Sequence, residues 1–217
     1  MAGGIDTVIF DMDGVIFDSE TLVLSSWKEV ADRHSIKNVE AACHECLGTN
    51  SVVSKKIFLR HYGQEFPYDK YKAEMAEVFF SHASDGRLAK KPGVEELLKY
   101  LKENGFKVGL ASSTQEATVR RQISEGGLLN YFDQIIGGDM VKRSKPEPDI
   151  FLEACRRLNS EPEKCYVIED SYNGVRAAHA AGMHPIMVPD LMEPTDEMRG
   201  LAENIFESLY DVIKYLK

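Results

Sequence analysis

Short apolar runs recur along this chain, separated by stretches of helical period. Thr7-Val8-Ile9-Phe10 is β-branched and aromatic and too short for a helix, so it predicts a buried strand. Lys107–Ser112, Gln134–Gly137, Cys165–Glu169 and Pro185–Val188 have the same character, and Asn204–Phe206 predicts a short edge strand. Between them, Gly93–Asn104, Gln115–Glu125, Asp149–Leu158 and Ser171–Ala181 carry a helical period and are long enough to cross over a parallel sheet. Pro92 stands at the opening of one helix, Asn104-Gly105 closes it, and Gly182 ends the alanine-rich one. Alternating strands and helices predict a doubly wound α/β fold with a parallel sheet.

The stretch from Asp18 to about Lys90 breaks this alternation. It is helical in pattern over Thr21–His34, Ala41–Leu47, Ser51–His61 and Tyr68–His82, with no strand signal. Roughly 70 residues far exceed a single crossover, which predicts a helical subdomain hung from the loop after strand one. The expected division is an α/β core of residues 1–17 and 91–217 and a helical cap of residues 18–90.

Composition narrows the classes. The chain has 217 residues, 43% hydrophobic and 28% charged, which suits a soluble protein with a sizeable core. A net charge of −9 argues against nucleic acid as partner, although a bound metal can reverse the local field and admit an anionic substrate. Asp6 and Asp11 interrupt the N-terminal apolar stretch, so no signal peptide is expected, and no run is long enough for a membrane span. The expectation is a cytoplasmic protein, monomeric or weakly dimeric, since no coiled-coil heptads are present. Cys43-His44-Glu45-Cys46 has no second cysteine pair at finger-like spacing, and two small buried side chains on one helix face are its expected role.

The candidate chemistry gathers at strand ends. Asp11-Met12-Asp13-Gly14 follows the first strand at once, where a parallel sheet presents its ligand site. Strand alternation would put both carboxylates on one side, able to share a divalent cation, with Gly14 allowing a sharp turn or close approach to a ligand. Ser112, Ser113 and Thr114 precede a helix and suit either phosphate binding or a capping box over Ser113–Glu116. Lys145 stands in Lys145-Pro146-Glu147-Pro148-Asp149, stiffened by two prolines, with Asp149 expected as the helix cap. Glu169 and Asp170 close the fourth strand. Asp11, Asp13, Glu169 and Asp170 against Lys145 alone make a cluster that must retain protons or bind a cation, and hard oxygen donors favour Mg²⁺.

These residues, in this order, resemble the motifs of the haloacid dehalogenase superfamily over nearly the whole chain: Asp11-Met12-Asp13-Gly14-Val15, Ser112, Lys145 and Glu169-Asp170. The resemblance implies a Rossmann-like core with a helical cap, and the subgroup of phosphoglycolate phosphatases, sugar-phosphate phosphatases and β-phosphoglucomutases. It implies Asp11 as the nucleophile that becomes an aspartyl-phosphate and Asp13 as the acid and base. It further implies Ser112 and Lys145 on the phosphoryl oxygens. Mg²⁺ would be held by the Asp11 carboxylate, the Asp13 main-chain carbonyl and Asp170, with Glu169 assisting.

The expected substrate is a small phosphorylated metabolite, a sugar phosphate or similar, with Gly14, Thr49, Asn50 and Ser113 as candidate contacts. Mutases of this subgroup carry a histidine where this chain has Val23, and a basic stretch where it has Leu47-Gly48-Thr49-Asn50-Ser51. That absence favours a phosphatase, with Lys55 and Lys56 as possible substitutes and a mutase as the alternative. A phosphoacceptor signalling domain is a remote third reading, which lacks a large helical insert. The cap is expected to hinge near Phe17–Ser19 and Lys90–Gly93.

Overall fold

The computed structural model describes residues 4–47, 49, 51–84 and 88–217. In chain order the elements are β1 (Thr7–Phe10), α1 (Ser19–His34), α2 (Val39–Cys46), α3 (Ser51–Tyr62), α4 (Tyr68–Ala83), α5 (Val94–Glu103), β2 (Lys107–Ala111) and α6 (Glu116–Glu125). There follow β3 (Gln134–Ile136), α7 (Asp149–Arg157), β4 (Cys165–Glu169), α8 (Tyr172–Ala180), β5 (His184–Met187), α9 (Asp196–Leu201), β6 (Asn204–Ile205) and α10 (Leu209–Leu216). All strand pairs are parallel, in the order β3-β2-β1-β4-β5-β6. This is the expected doubly wound, Rossmann-like sheet, and its strand order reverses between β1 and β4, where such folds open a ligand crevice.

The sheet is buried on both faces, so its strands are continuous apolar runs instead of alternating ones. Along β1, Val8 and Phe10 join a core shared with α5 and α6, while Ile9 joins a second core with α7 and α8. Two helices went unanticipated: α9, which starts at a Thr195 cap, and α10, whose Leu209 and Val212 are buried. Tyr100 of α5 donates its hydroxyl to the Leu216 carbonyl (2.9 Å) and holds α10 in place.

Helices α1–α4 fill the stretch between β1 and α5. Their core is aromatic: Trp27 stacks on Phe58 at 4.5 Å, and Tyr68 lies 5.1 Å and Phe66 6.1 Å from the same ring. Met12, Val15, Ile16 and Phe17, all at most 1% exposed, join this cluster to the sheet. The two connecting segments run side by side, with Asp18 N donating to Ala89 O (2.9 Å) and Lys91 N to Ile16 O (2.8 Å). No helix among the described residues is long and apolar enough to cross a membrane.

Phe58 is 1% exposed and touches four other aromatic rings. Phe58→Ala is expected to destabilise the protein by about 3–5 kcal/mol, read as a lowered urea midpoint. A change within about 0.5 kcal/mol, the ordinary range for surface substitutions, would show that this cluster does not hold the helices together.

Candidate active site

Backbone register delivers the four loops to one rim. Asp11 N donates to Ile168 O (2.9 Å), which extends the β1–β4 pairing by one residue beyond the strand. Ser112 N likewise donates to Ile136 O (3.0 Å), and Val188 N to Glu169 O (2.8 Å). From the loop between β3 and α7, Lys145 Nζ reaches Asp11 Oδ1 (2.5 Å), Glu169 Oε1 (2.6 Å) and the Ala111 carbonyl (3.3 Å). Its ammonium also sits 4.8 Å from the centre of the Phe151 ring.

Glu169 is fixed on its other side. Its Oε2 accepts from Asp170 N, Ser171 N and Ser171 Oγ, each at 3.0 Å, at the start of α8, where the helix dipole favours an anion. Ser171 Oγ in turn accepts from Gly174 N (3.0 Å) and caps the helix. Space is so tight that a Cβ on Gly174 would overlap the Glu169 carboxylate. Gly14, at φ +77°, leaves room in the same way for the Asp170 carboxylate. Gly14 thus serves the packing of Asp170 in this structure.

Asp11, Lys145, Glu169 and Asp170 are 6%, 6%, 1% and 3% exposed, so their charges meet little water. Burial pushes the Asp11 carboxyl up to about 8, with Lys145 pulling it down and Glu169 and Asp13 adding to the rise. Asp170 is raised well above the usual carboxylate range by burial and then by Glu169 and Glu20. Burial opposes the charge on Lys145, but Asp11 and Glu169 outweigh it and hold the ammonium protonated. The site therefore gathers more carboxyls than its single lysine can hold ionised, and without a cation some of them keep their protons.

A divalent cation fits this surplus. Carboxylate oxygens of Asp11, Glu169 and Asp170 lie within 4.8 Å of one another. Glu169 is the most heavily engaged of the three, with Lys145 on one oxygen and the α8 donors on the other, whereas the Asp170 carboxylate accepts no hydrogen bond among the described residues. Asp11 and Asp170 thus have the most capacity left for a hard cation, and Glu169, fixed between Lys145 and α8, supports them.

The Asp13 carboxylate lies apart from this trio, contrary to the expectation that strand alternation would pair it with Asp11 around one ion. The chain turns after β1, and Asp13 Oδ1 accepts from Ser19 Oγ of α1 (2.6 Å). Its Oδ2 accepts from Ser112 Oγ (3.3 Å) and Thr114 Oγ1 (3.3 Å). The Ser112 hydroxyl is therefore directed to Asp13, and it also accepts from Thr114 N (3.1 Å). The capping box over Ser113–Glu116 does not form: α6 begins at Glu116, whose N donates to Asp139 Oδ1 (2.8 Å), leaving Ser113 and Thr114 to line the site. Asp149 is not a cap either, because Pro148 takes that position and the Asp149 carboxylate grips Arg143 (3.0 and 2.7 Å).

Above this floor is a cavity of about 1000 Å³. Its floor includes Asp11, Asp13, Ser113, Thr114, Lys145, Glu169 and Asp170, and its roof is built from the inserted helices. Glu20 of α1 reaches in beside the acidic rim, and burial together with Asp13 and Asp190 pushes its carboxyl up to about 8. Thr114 stands among the hydroxyls the sequence pointed to, whereas Ser19 and Glu20 do not, although the Asp18-Ser19-Glu20 run enters the first helix right behind the aspartate pair. Thr49 lines the cavity, but its hydroxyl donates to Cys46 O (2.7 Å) and meets Ser54 Oγ (3.0 Å). Asn50 lies outside the described residues. Cys43 and Cys46 are free thiols pushed up to about 12 and about 11 by burial, in keeping with packing.

Fold and site together define an α/β enzyme core with an acid-lined crevice at its strand switch point. A family model described as haloacid dehalogenase-like hydrolase matches residues 8–188, and the chain belongs to that family. It is 34% identical over 181 residues, 83% of each chain, to a phosphorylated carbohydrates phosphatase of Thermotoga maritima. It is 31% identical to β-phosphoglucomutase of Bacillus subtilis over 190 residues, 83% of this chain and 82% of that one. The crystal structure of CbbY from Rhodobacter sphaeroides in complex with phosphate superposes with a TM-score of 0.79 at 29% identity, covering 96% of each chain.

Gly174→Ala is expected to displace Glu169 and, through it, Lys145, lowering divalent-cation affinity by about 10-fold or more. Gly200→Ala, where a Cβ meets nothing within 4 Å, is the control. Calorimetric titration with Mg²⁺ measures both, and equal affinities would show that Glu169 does not position the site.

Because the folded-state carboxyl of Asp11 titrates near 8, above its usual value of 3.8, the folded metal-free protein binds more protons than the unfolded chain between those values. That contribution is full below the unfolded value and is lost as pH rises toward 8. The increase in Tm on adding Mg²⁺ is therefore expected to be larger at pH 8 than at pH 6, where protons compete with the cation. A gain that is constant or falls with pH would contradict the charge surplus.

Proposed function

We propose that this protein is a Mg²⁺-dependent phosphatase of small phosphomonoesters that works through an aspartyl-phosphate on Asp11. The observation that carries the reading is the separation of two neighbouring aspartates into different environments. Asp11 is ion-paired to Lys145 at the bottom of the cavity, and Asp13 is held by three hydroxyls beside it. Such a split suits one group to attack and the other to move protons.

An oxygen of Asp11 attacks phosphorus as the bond from phosphorus to the leaving oxygen breaks, and the Asp13 carboxyl gives that oxygen its proton. Asp13, now ionised, takes a proton from water as the water attacks the aspartyl-phosphate, which releases phosphate and restores Asp11. Hydroxyls donate or accept as required, so Ser19, Ser112 and Thr114 hold Asp13 in either protonation state. Lys145 cancels part of the repulsion between Asp11 and the phosphoryl oxygens. Mg²⁺ held by Asp11 and Asp170 would supply the rest of that cancellation.

Residues 18–90 act in this reading as a cap hinged on the paired connections at Asp18–Ala89 and Ile16–Lys91, closing over the phosphoryl group to exclude bulk water. Lys91 Nζ pairs with Asp190 Oδ1 (2.5 Å) across the second connection, tying it to the loop after β5. The phosphatase reading is favoured over a mutase by the cavity wall. Val23, Leu47 and Ser51 line it where a mutase needs a second phosphate grip, while Lys55 is spent on Asp69 (2.5 Å).

Asp11→Asn is expected to abolish phosphate release, and Asp13→Asn to lower it by about 10²-fold or more while Mg²⁺ still binds. With β-glucose 1-phosphate and a trace of the 1,6-bisphosphate, the wild type should release phosphate or ignore both. Accumulation of glucose 6-phosphate would establish the mutase instead.

A further inference from the structure

The cavity is asymmetric in charge. Its floor holds Asp11, Asp13, Glu169 and Asp170, with the positive charge of Lys145 already paired there. The facing wall is largely apolar, with Val23, Leu24, Trp27, Leu47, Phe58 and Met75. Half-buried in that wall is Lys72 of α4, its ammonium 5.9 Å from the centre of the Tyr68 ring. Among the described residues Lys72 has no ion pair, although neighbouring insert lysines do: Lys28 with Glu40, Lys55 with Asp69 (2.5 Å) and Lys70 with Glu74 (3.9 Å). A substrate filling the cavity would strip water from this ammonium, which is costly unless the substrate brings an opposite charge. Meanwhile the Thr49 hydroxyl, suited to a neutral sugar, is engaged with Cys46 O and Ser54.

We infer that Lys72 binds a carboxylate on the leaving group, so that the preferred substrates are phosphorylated carboxylic acids, sugar acids among them. This rests on the phosphatase reading. One ammonium balances one carboxylate, whereas a second phosphate dianion would keep uncompensated charge against an apolar wall. Lys142 also lines the cavity but is exposed, where water and salt screen it.

The test is kcat/KM of the Mg²⁺-loaded protein on matched pairs: 3-phosphoglycerate against glycerol 3-phosphate, and 6-phosphogluconate against glucitol 6-phosphate. p-Nitrophenyl phosphate serves as reference. The wild type should favour the acid by about 10-fold or more in at least one pair, as expected for a charge-assisted contact in a dry setting. Lys72→Met should erase that preference through KM, Lys72→Arg should keep most of it, and Lys142→Met should leave it within about 2-fold. Equal or reversed preference in both pairs overturns the inference, as does an equal loss on both members in Lys72→Met or a loss confined to Lys142→Met. Stronger turnover of matched bisphosphates than of the acids overturns it too. Failure to turn over p-nitrophenyl phosphate defeats the phosphatase reading itself; turnover of that reference without an acid preference defeats only the carboxylate assignment.

Discussion

One buried ammonium facing a larger number of buried carboxylates is the constraint on which this structure turns. Lys145 touches Asp11 and Glu169 where all three are buried, and Asp170 and Asp13 stand close by. Breaking such a pair from one side leaves an uncompensated interior charge, which costs several kcal/mol, on the order of 3–5. The surroundings accordingly leave the carboxylates nowhere else to go. Gly14 and Gly174 give up side chains so that Asp170 and Glu169 fit, and the N-terminus of α8 supplies donors to Glu169. The surplus of carboxyls that remains suits the crevice to a cation, and a cation there would in turn admit a phosphate.

The same crevice depends on the inserted helices. Ser19 opens α1 and donates directly to Asp13, so the first helical residue of the insert orients the group proposed for proton transfer. Met12, Val15, Ile16 and Phe17 bury that turn in a core continuous with the aromatic cluster of the insert. In the proposed reading, movement of the helices as a body would act on Asp13 through this short hydrogen bond and through the packed turn, coupling cap position to acid orientation.

The parts legible in the sequence are those fixed by local chemistry. Strands β1, β2, β4 and β5 were readable because parallel strands buried on both faces leave continuous apolar runs. Lys145, Glu169 and Asp170 were readable because a strand end sets the position of a charged residue almost regardless of what surrounds it. The failures fall where two partners compete for one group. Ser113-Thr114-Gln115-Glu116 has the pattern of a capping box, but Asp139, distant in sequence, takes the Glu116 N–H and frees the hydroxyls for the site. Asp149 looks like a cap until Arg143 claims it. Asp13 alternates correctly with Asp11, yet the turn at Gly14 and Ser19 swing it out of the ion cluster. Lys72 carried no signal in the sequence, because a lysine on an amphipathic helix is ordinarily a solvated charge.

These failures share a direction. The floor is made of strand ends, whose geometry is set by backbone pairing and changes little with side-chain choice. The wall is made of side chains on α1–α4, which pack against one another and have no ladder to hold them in register. In the proposed reading, a substitution in the wall, such as Val23 or Lys72, would alter what the cavity accepts without disturbing the attack on phosphorus, and a substitution in the floor would disturb every substrate alike. Chemistry and selectivity would then be divided between the two parts of the fold, and the chain's relatives include both a carbohydrate phosphatase and a mutase. The identity of the leaving group would then be sought on the wall, where the ammonium of Lys72, without an ion pair among the described residues, departs from an ordinary apolar packing surface.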